Sequence, residues 1–189
     1  MNPLALGAAT TLWSTAVMPA LDLTPRSRAV VNAAFGVGLA YVSGQNASDL
    51  GLRRWGSGLR WGLAAAAVPV AGASIVAAVP ALAERVRPSD EDLAEWLLFR
   101  IPVGTVLTEE LTFRGVFDAV SPGLSPVFFG LWHIHPARSA GDCVPATVLG
   151  TAAAGVVFSW LRRRSGSVLA PALAHCAVNS SGAVLAARA

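Results

Sequence analysis

The sequence predicts an all-α protein, a polytopic transmembrane helical bundle of about seven spans, within a range of six to eight. Of its 189 residues, 54% are hydrophobic and only 13% are charged, whereas a soluble domain carries about a quarter charged residues. The mean hydropathy of +0.56 supports the same conclusion. Because each spanning helix needs about 20 mostly apolar residues, this length leaves no room for a sizeable domain outside the membrane.

Apolar runs separated by charged or Pro- and Gly-rich breaks define the candidate spans. The first has no charged side chain from Met1 to Val17, so we expect a retained span and not a signal peptide, which would begin with basic residues. The second and fifth are short for a full crossing, and we expect them to be tilted, broken or shielded by neighbouring helices. In chain order the spans are Pro3–Leu21, Arg28–Gly44, Trp61–Ala83, Glu95–Phe117, Leu124–Pro136, Cys143–Leu161 and Ser167–Ala187.

Loop charges predict the orientation of the bundle. Arg53, Arg54 and Arg60 lie between the second and third spans, and Arg162–Arg164 lie between the last two. Four spans separate the two loops in a seven-span arrangement, so both lie on one side, and the positive-inside rule makes that side cytoplasmic. The acidic loop Glu84–Glu95 then lies outside, with the N-terminus inside and the C-terminus outside.

Composition also restricts the partners. All 14 basic residues are Arg, scattered through short loops, so we expect lipid as the partner of this surface and no nucleic acid. A lysine-free chain rich in Ala, Gly and Val is typical of codon bias and indicates a bacterial protein in the cytoplasmic membrane. Cys143 and Cys176 fit neither a metal nor a disulfide pattern, and we expect small buried side chains there.

Three predicted spans carry polar side chains of catalytic type. Charged residues within a span are energetically expensive and usually mark function, so these spans indicate a functional site. The residues are Glu109, Glu110 and Arg114 in the fourth span, His133 and His135 in the fifth, and His175 and Asn179 in the seventh.

Helical spacing separates the roles of these residues. Glu110 and Arg114 are four positions apart and pair along one face, which keeps Glu110 ionised as a structural group. Glu109 lies about 100° further round the helix, lacks this partner and is free for chemistry. His175 and Asn179 are also four apart and point in one direction.

Depth in the membrane gives an independent indication. Counted from the span ends, Glu109, His133 and His175 each lie about 12–15 Å below the cytoplasmic surface. His135 faces away from His133, and the Trp residues near span ends are assigned to aromatic belts, so neither receives a chemical role. A structural brace for the Glu–Arg pair and a packing role for each His are the competing interpretations.

These residues resemble the motifs of the CPBP intramembrane proteases, the family of CaaX-type prenyl endopeptidases and of bacterial Abi and bacteriocin-processing or immunity proteins. The similarity divides the chain into 1–94, transmembrane helices without a motif, and 95–189, a catalytic helical core, within one membrane domain. The motifs are Glu109-Glu110-x-x-x-Arg114, Phe129-x-x-x-His133 and His175-x-x-x-Asn179.

The resemblance implies an intramembrane endopeptidase whose site opens to the cytoplasm. Glu109 corresponds to the residue that activates water, and His133 is implicated in the same step or as a metal ligand. His175 and Asn179 correspond to residues that stabilise the oxyanion or bind metal. The supporting positions are Glu110, Arg114 and Phe129.

Zinc is an open alternative for this site. Two His and one Glu with an open water position form a known catalytic set, with Glu109, His133 and His175 as ligands and Glu110 as base. That assignment conflicts with the expected pairing of Glu110 with Arg114, so a mechanism with Glu109 as base is favoured.

The sequence is compatible with three alternative functions. The first is CaaX-processing-like hydrolysis of a membrane-embedded or lipidated peptide or protein. The second is a proton-linked transporter, since buried Glu and His also form proton relays, although the chain shows no repeated half. The third is a non-catalytic membrane scaffold or bacteriocin-immunity protein that keeps the family fold.

Overall fold

The computed structural model describes residues 1–189 and contains helices without any strand, which confirms the all-α class. Most helices begin and end within a few residues of the predicted spans. They are α1 (residues 3–20), α2 (Pro25–Val42), α3 (Trp55–Ala78), α4 (Pro80–Ala83), α5 (residues 93–120), α6 (Ser125–Trp132), α7 (Ile134–Ala140), α8 (Val144–Ser165) and α9 (Leu169–Ala186).

The third predicted span differs most from its helix. α3 begins at Trp55, six positions before the predicted start, and ends at Ala78. Val79 is extended, with φ −106° and ψ 106°, because the residue before a proline avoids the helical region. Pro80 then starts the single turn of α4, so the predicted continuous span to Ala83 is interrupted.

The fifth predicted span is broken into α6 and α7 at His133. His133 has φ −88° and ψ 4°, outside the helical region. Pro136 follows three positions later and has no N–H, so the helical hydrogen bond to the carbonyl of Trp132 cannot form. A break was one of the outcomes expected for this short span.

Three helices, α3, α8 and α9, are long and apolar enough to cross a membrane. Large apolar side chains are exposed on the outside of the bundle, among them Val68 at 73%, Leu98 at 79% and Leu149 at 71%. Such a surface is stable in lipid and unfavourable in water. The chain is therefore an integral membrane protein, while the number of about seven spans stays a prediction.

One core joins both halves of the chain. Leu6 of α1 and Leu50 of the loop after α2 pack with Phe113 of α5, Phe129 of α6 and Phe158 of α8. Small residues allow close helix crossings of the kind that lipid-embedded helices use. At the crossing of α2 and α5, a Cβ added to Gly104 would lie 2.6 Å from the Cβ of Ala29.

The loops meet at two ends of the bundle. At one end the Val168 N–H donates to the Gly51 carbonyl at 3.0 Å, so the two arginine-rich loops lie side by side. At the other end the Ser89 N–H donates to the Ala186 carbonyl, also at 3.0 Å. The acidic loop thus lies beside the end of α9. Which end faces the cytoplasm stays a prediction.

Candidate active site

Glu109 lies in an unusual part of α5. The segments Trp96–Leu107 and Glu110–Phe117 are π-helical, and Glu109 stands where the second begins. In a π turn each N–H bonds to the carbonyl five residues back, which widens the helix. Such turns are rare and are frequent at functional sites. The Glu109 side chain is 6% exposed although it is ionisable.

The structure brings Glu109, His133 and His175 together, and we call these three residues the carboxylate–imidazole cluster. The Nε2 atom of His133 lies 3.9 Å from Oε2 of Glu109, and Nε2 of His175 lies 3.8 Å from the same oxygen. Oε2 is buried and has no hydrogen-bond partner in the protein. One carboxylate oxygen therefore faces two imidazoles across gaps that are wider than a hydrogen bond.

Hydrogen bonds at Nδ1 define both imidazole tautomers. Nδ1 of His133 lies 2.8 Å from the Phe129 carbonyl, which only accepts, so Nδ1 carries the proton. Nδ1 of His175 lies 2.8 Å from Oε1 of Glu110 and donates to that carboxylate. In the neutral rings both Nε2 atoms are therefore acceptors, like Oε2 of Glu109.

Glu110 and Arg114 form a buried pair on the far side of His175. The Nη1–Oε1 distance is 3.4 Å, and the two side chains are 2% and 0% exposed, respectively. The Arg114 guanidinium lies 4.0 Å from the centre of the Phe129 ring, and its Nη2 donates to the Gly155 carbonyl at 3.4 Å. Glu110 thus holds both Arg114 and His175, the geometry of a supporting residue.

Phe129 contacts both imidazoles as well as the guanidinium. Its ring meets His133 edge-on with the centres 4.9 Å apart, and it meets His175 edge-on at 6.0 Å. Phe158 stacks on His175 at 5.1 Å. These rings fix the planes of both imidazoles by packing.

Trp132 belongs to the site, although no chemical role was predicted for the tryptophans. Its indole N–H donates to Oε1 of Glu109 at 3.0 Å, and the residue is 5% exposed. Glu109 lacks the partner on its own helix that Glu110 has in Arg114, and Trp132 binds one of its oxygens and leaves the other free. The signal in the sequence was the position of this Trp directly beside His133.

A cavity of about 560 Å³ adjoins the cluster between α3 and α8. His133, His175, Asn179 and Phe129 are among its lining residues, and most of the others are apolar. Asn179 follows His175 by one helical turn, as predicted, and lines the cavity without contacting Glu109. His135 is outside this site, because its Nε2 is 3.1 Å from the Ser139 hydroxyl on α7.

The fit of the site to zinc can be tested on these distances. Tetrahedral ligands about 2.0–2.2 Å from zinc lie roughly 3.3–3.6 Å from one another. Glu109, His133 and His175 have the right chemistry, and the distances of 3.8 and 3.9 Å are slightly longer than this range. No group of three His, Cys, Asp or Glu residues in the chain has the geometry of a metal site.

The remaining polar side chains have other roles. Both cysteines are free, and Cys143 is exposed rather than buried as expected. Arg100, near the start of α5, forms an ion pair with Glu91 and lies over the ring of Trp96. Asp118, at the end of α5, accepts a hydrogen bond from the Ser159 hydroxyl at 2.9 Å.

The fold and site define the class of the protein: a helical integral membrane protein with a buried carboxylate–imidazole cluster beside an apolar cavity. Residues 92–181, just under half of the chain, match the family described as type II CAAX prenyl endopeptidase Rce1-like. This part of the chain is therefore similar to that group within the CPBP family, which confirms the resemblance indicated by the motifs. No curated protein and no solved structure matches the chain.

Proposed function

We propose that the protein is an intramembrane endopeptidase that hydrolyses a peptide bond in a membrane-associated or lipidated peptide. The observation that carries this proposal is the buried Oε2 of Glu109, which has no hydrogen-bond partner and faces the Nε2 atoms of both imidazoles. The family match supports a peptidase. The cavity beside the cluster supplies room for a substrate.

Three acceptor atoms that converge on one space need a donor between them. A water molecule there donates one proton to Oε2 of Glu109 and the other to an imidazole Nε2, which orients its oxygen lone pair outward. Both distances across this space, 3.8 and 3.9 Å, are wider than a direct hydrogen bond. The arrangement suits a general base that activates water.

The bond changes balance with these residues alone. The water oxygen attacks the peptide carbonyl while Oε2 of Glu109 takes its proton, giving a tetrahedral oxyanion. The Asn179 amide N–H donates to that oxyanion, and His175 also donates when its ring carries both protons. Glu109 then returns the proton to the leaving amine as the C–N bond breaks.

The cavity indicates the class of substrate. It lies between α3 and α8, both apolar enough to span a membrane, and apolar residues dominate its lining. An apolar chain such as a lipid substituent on the peptide fits this lining better than water does. Opening of the site to the cytoplasm is part of the proposal and agrees with the charges of the arginine-rich loops.

Cleavage by purified, detergent-solubilised protein tests the proposal. A pool of membrane-anchored and prenylated reporter peptides is incubated with the wild type and with Glu109→Gln, which keeps the shape and removes the base. Glu84→Gln, an exposed glutamate in the acidic loop, is the matched control. We expect a loss of about 10²–10⁴-fold for Glu109→Gln and none for the control.

A strong chelator in each arm tests metal dependence separately. Full cleavage by a folded Glu109→Gln protein would refute the role of Glu109. Loss of wild-type cleavage with the chelator, restored by zinc, would replace the glutamate mechanism with a metal mechanism. Absence of cleavage in every arm, with flux of protons through liposomes, would favour the transporter.

A further inference from the structure

The indole of Trp132 binds the oxygen of Glu109 that the proposed mechanism does not use. We propose that Trp132 is a positioning residue that fixes the Glu109 carboxylate so that Oε2 faces the two imidazoles, and that α1 and α2 hold Trp132 in place. This inference rests on the proposed function. It gives the N-terminal half, which has no motif, a defined part in the site.

The chemistry of a glutamate general base requires such a bond. The terminal C–C bond of a glutamate rotates freely, so the two oxygens exchange unless one is held. A donor at Oε1, here the Trp132 N–H at 3.0 Å, stops this exchange and leaves Oε2 free to take a proton. In a buried site a hydrogen bond to a charged group is stronger than in water.

The backbone of Trp132 is held by α1 because α6 ends here. The carbonyl of Trp132 would accept from the N–H four residues on, but that residue is Pro136 and has none. The Ser14 hydroxyl of α1 donates to this carbonyl instead. Ser14 is buried, so the bond supplies the donor that the broken helix lacks.

The ring of Trp132 is held by aromatic packing that begins in the N-terminal helices. Trp13 of α1 stacks on Phe35 of α2 with the ring centres 4.2 Å apart, and Phe35 stacks on Trp132 at 6.2 Å. Phe113 of α5 meets the same indole edge-on at 5.7 Å. An indole held from both sides keeps its N–H directed at Glu109.

The position of Trp132 predicts which kinetic constant depends on it. Trp132 does not line the cavity, whose walls include His133 and Asn179. Its loss should therefore lower kcat and leave KM nearly unchanged. A merely structural role would instead lower the amount of folded enzyme and would leave both constants of the folded fraction unchanged.

Two variants test the kinetic part. Trp132→Phe keeps an aromatic ring and removes the N–H, and we expect kcat to fall about 10- to 100-fold with KM within about twofold. Trp96→Phe, a half-buried Trp near the start of α5 that lies against Arg100 and not against Glu109, is the control. Ser14→Ala, a milder change if Trp132→Phe folds poorly, should lower kcat about 2- to 10-fold.

A spectroscopic readout tests the contact without any cleavage. The chain has 6 Trp, so a ¹⁵N-tryptophan spectrum of the full-length protein in micelles resolves their indole N–H signals, and the one lost in Trp132→Phe is assigned. Glu109→Gln should shift this signal and leave that of Trp96 in place. Ser14→Ala should shift it less.

The outcomes distinguish this inference from the proposed function. An indole signal that ignores Glu109→Gln, or a Trp132→Phe enzyme with wild-type kcat, overturns the positioning role while the peptidase proposal stands. If the wild type cleaves nothing although the signal responds to Glu109, the peptidase proposal fails, and the positioning of a base fails with it. A shifted signal together with a fall in kcat supports both.

Discussion

Helix α5 carries buried carboxylates at two positions along its length, Glu109 and Asp118, and the surroundings of these two side chains differ. At the level of Glu109 the free oxygen faces two imidazoles beside a cavity. At the level of Asp118, Oδ1 accepts from the Ser159 hydroxyl, while Oδ2 is buried without a partner. Both side chains therefore keep one unpaired oxygen away from water, but only Glu109 has imidazole neighbours.

The difference shows that burial alone does not make a general base. Asp118 lies beyond the predicted span Glu95–Phe117, and burial raises the pKa of its carboxyl. The hydrogen bond from Ser159 and the charges of nearby arginines oppose this rise in the pKa. No imidazole is among these neighbours, so the arrangement that faces Oε2 of Glu109 is absent around Asp118. We infer that Asp118 joins α5 to α8 and takes no part in hydrolysis.

The sharpest test of this comparison removes each carboxylate in turn. Glu109→Gln should lower cleavage about 10²–10⁴-fold, because the base is lost. Asp118→Asn should leave kcat and KM within about twofold of the wild type, because this side chain touches neither the cluster nor the cavity. Both are measured on the reporter peptides with protein of equal helical content. Equal losses in the two variants would contradict the distinction between the levels.

A second test removes the positive charge of Arg114, which pairs with Glu110 beside the carboxylate–imidazole cluster. Arg114→Leu leaves Glu110 buried without its counter-charge and should lower the free energy of unfolding by about 3–5 kcal/mol. Arg163→Leu, on the exposed surface of α8, should change it by less than about 1 kcal/mol. Thermal unfolding in detergent, followed by circular dichroism, measures both. An Arg114→Leu protein as stable as the control would show that the pair is not a brace.

Most helices could be predicted from the sequence, because apolar runs and the breaks between them directly indicate membrane helices. The errors lie where tertiary contacts overrule local signals. Residues 55–58 have the sequence Trp-Gly-Ser-Gly, which is typical of a loop, yet α3 begins there. The reason is that Gly58 packs against the start of α9. An added Cβ at Gly58 would lie 2.6 Å from Oγ of Ser167. Such a contact between distant segments leaves no periodic pattern in the sequence.

The site was predictable where a single helix sets the spacing. The pairing of Glu110 with Arg114 follows from positions four apart. The proximity of Glu109 to both histidines agrees with the shared depth estimated from the span ends. The bond from Trp132 to Glu109 depends on how α6 is rotated against α5, which spacing does not define. Pro136 indicates only that the Trp132 carbonyl lacks a helical donor, and it does not define the direction of the indole.

The pH dependence of the free energy of unfolding gives a third and smaller effect, which depends on Asp118 alone. Burial raises the folded-state pKa of Asp118 from 3.8, so the folded protein binds this proton more tightly than the unfolded chain. The free energy of unfolding should therefore fall as pH rises from about 4 to the folded-state pKa and should be constant above it. Asp118→Asn should lose this slope, and Asp90→Asn in the acidic loop should keep it, as measured by thermal unfolding across this range.

The smallest effect concerns the single hydrogen bond that joins Asp118 to α8. Ser159→Ala removes a neutral donor to a buried carboxylate, which should cost about 1 kcal/mol and lower the Tm by about 2–4 °C. Cleavage should not change, because the bond lies outside the cluster. In the Asp118→Asn background the same substitution should cost less, since the charge that the hydroxyl stabilised is gone. Strictly additive effects would show that Ser159 acts by packing, and a loss of cleavage would place the Asp118 level in the mechanism after all.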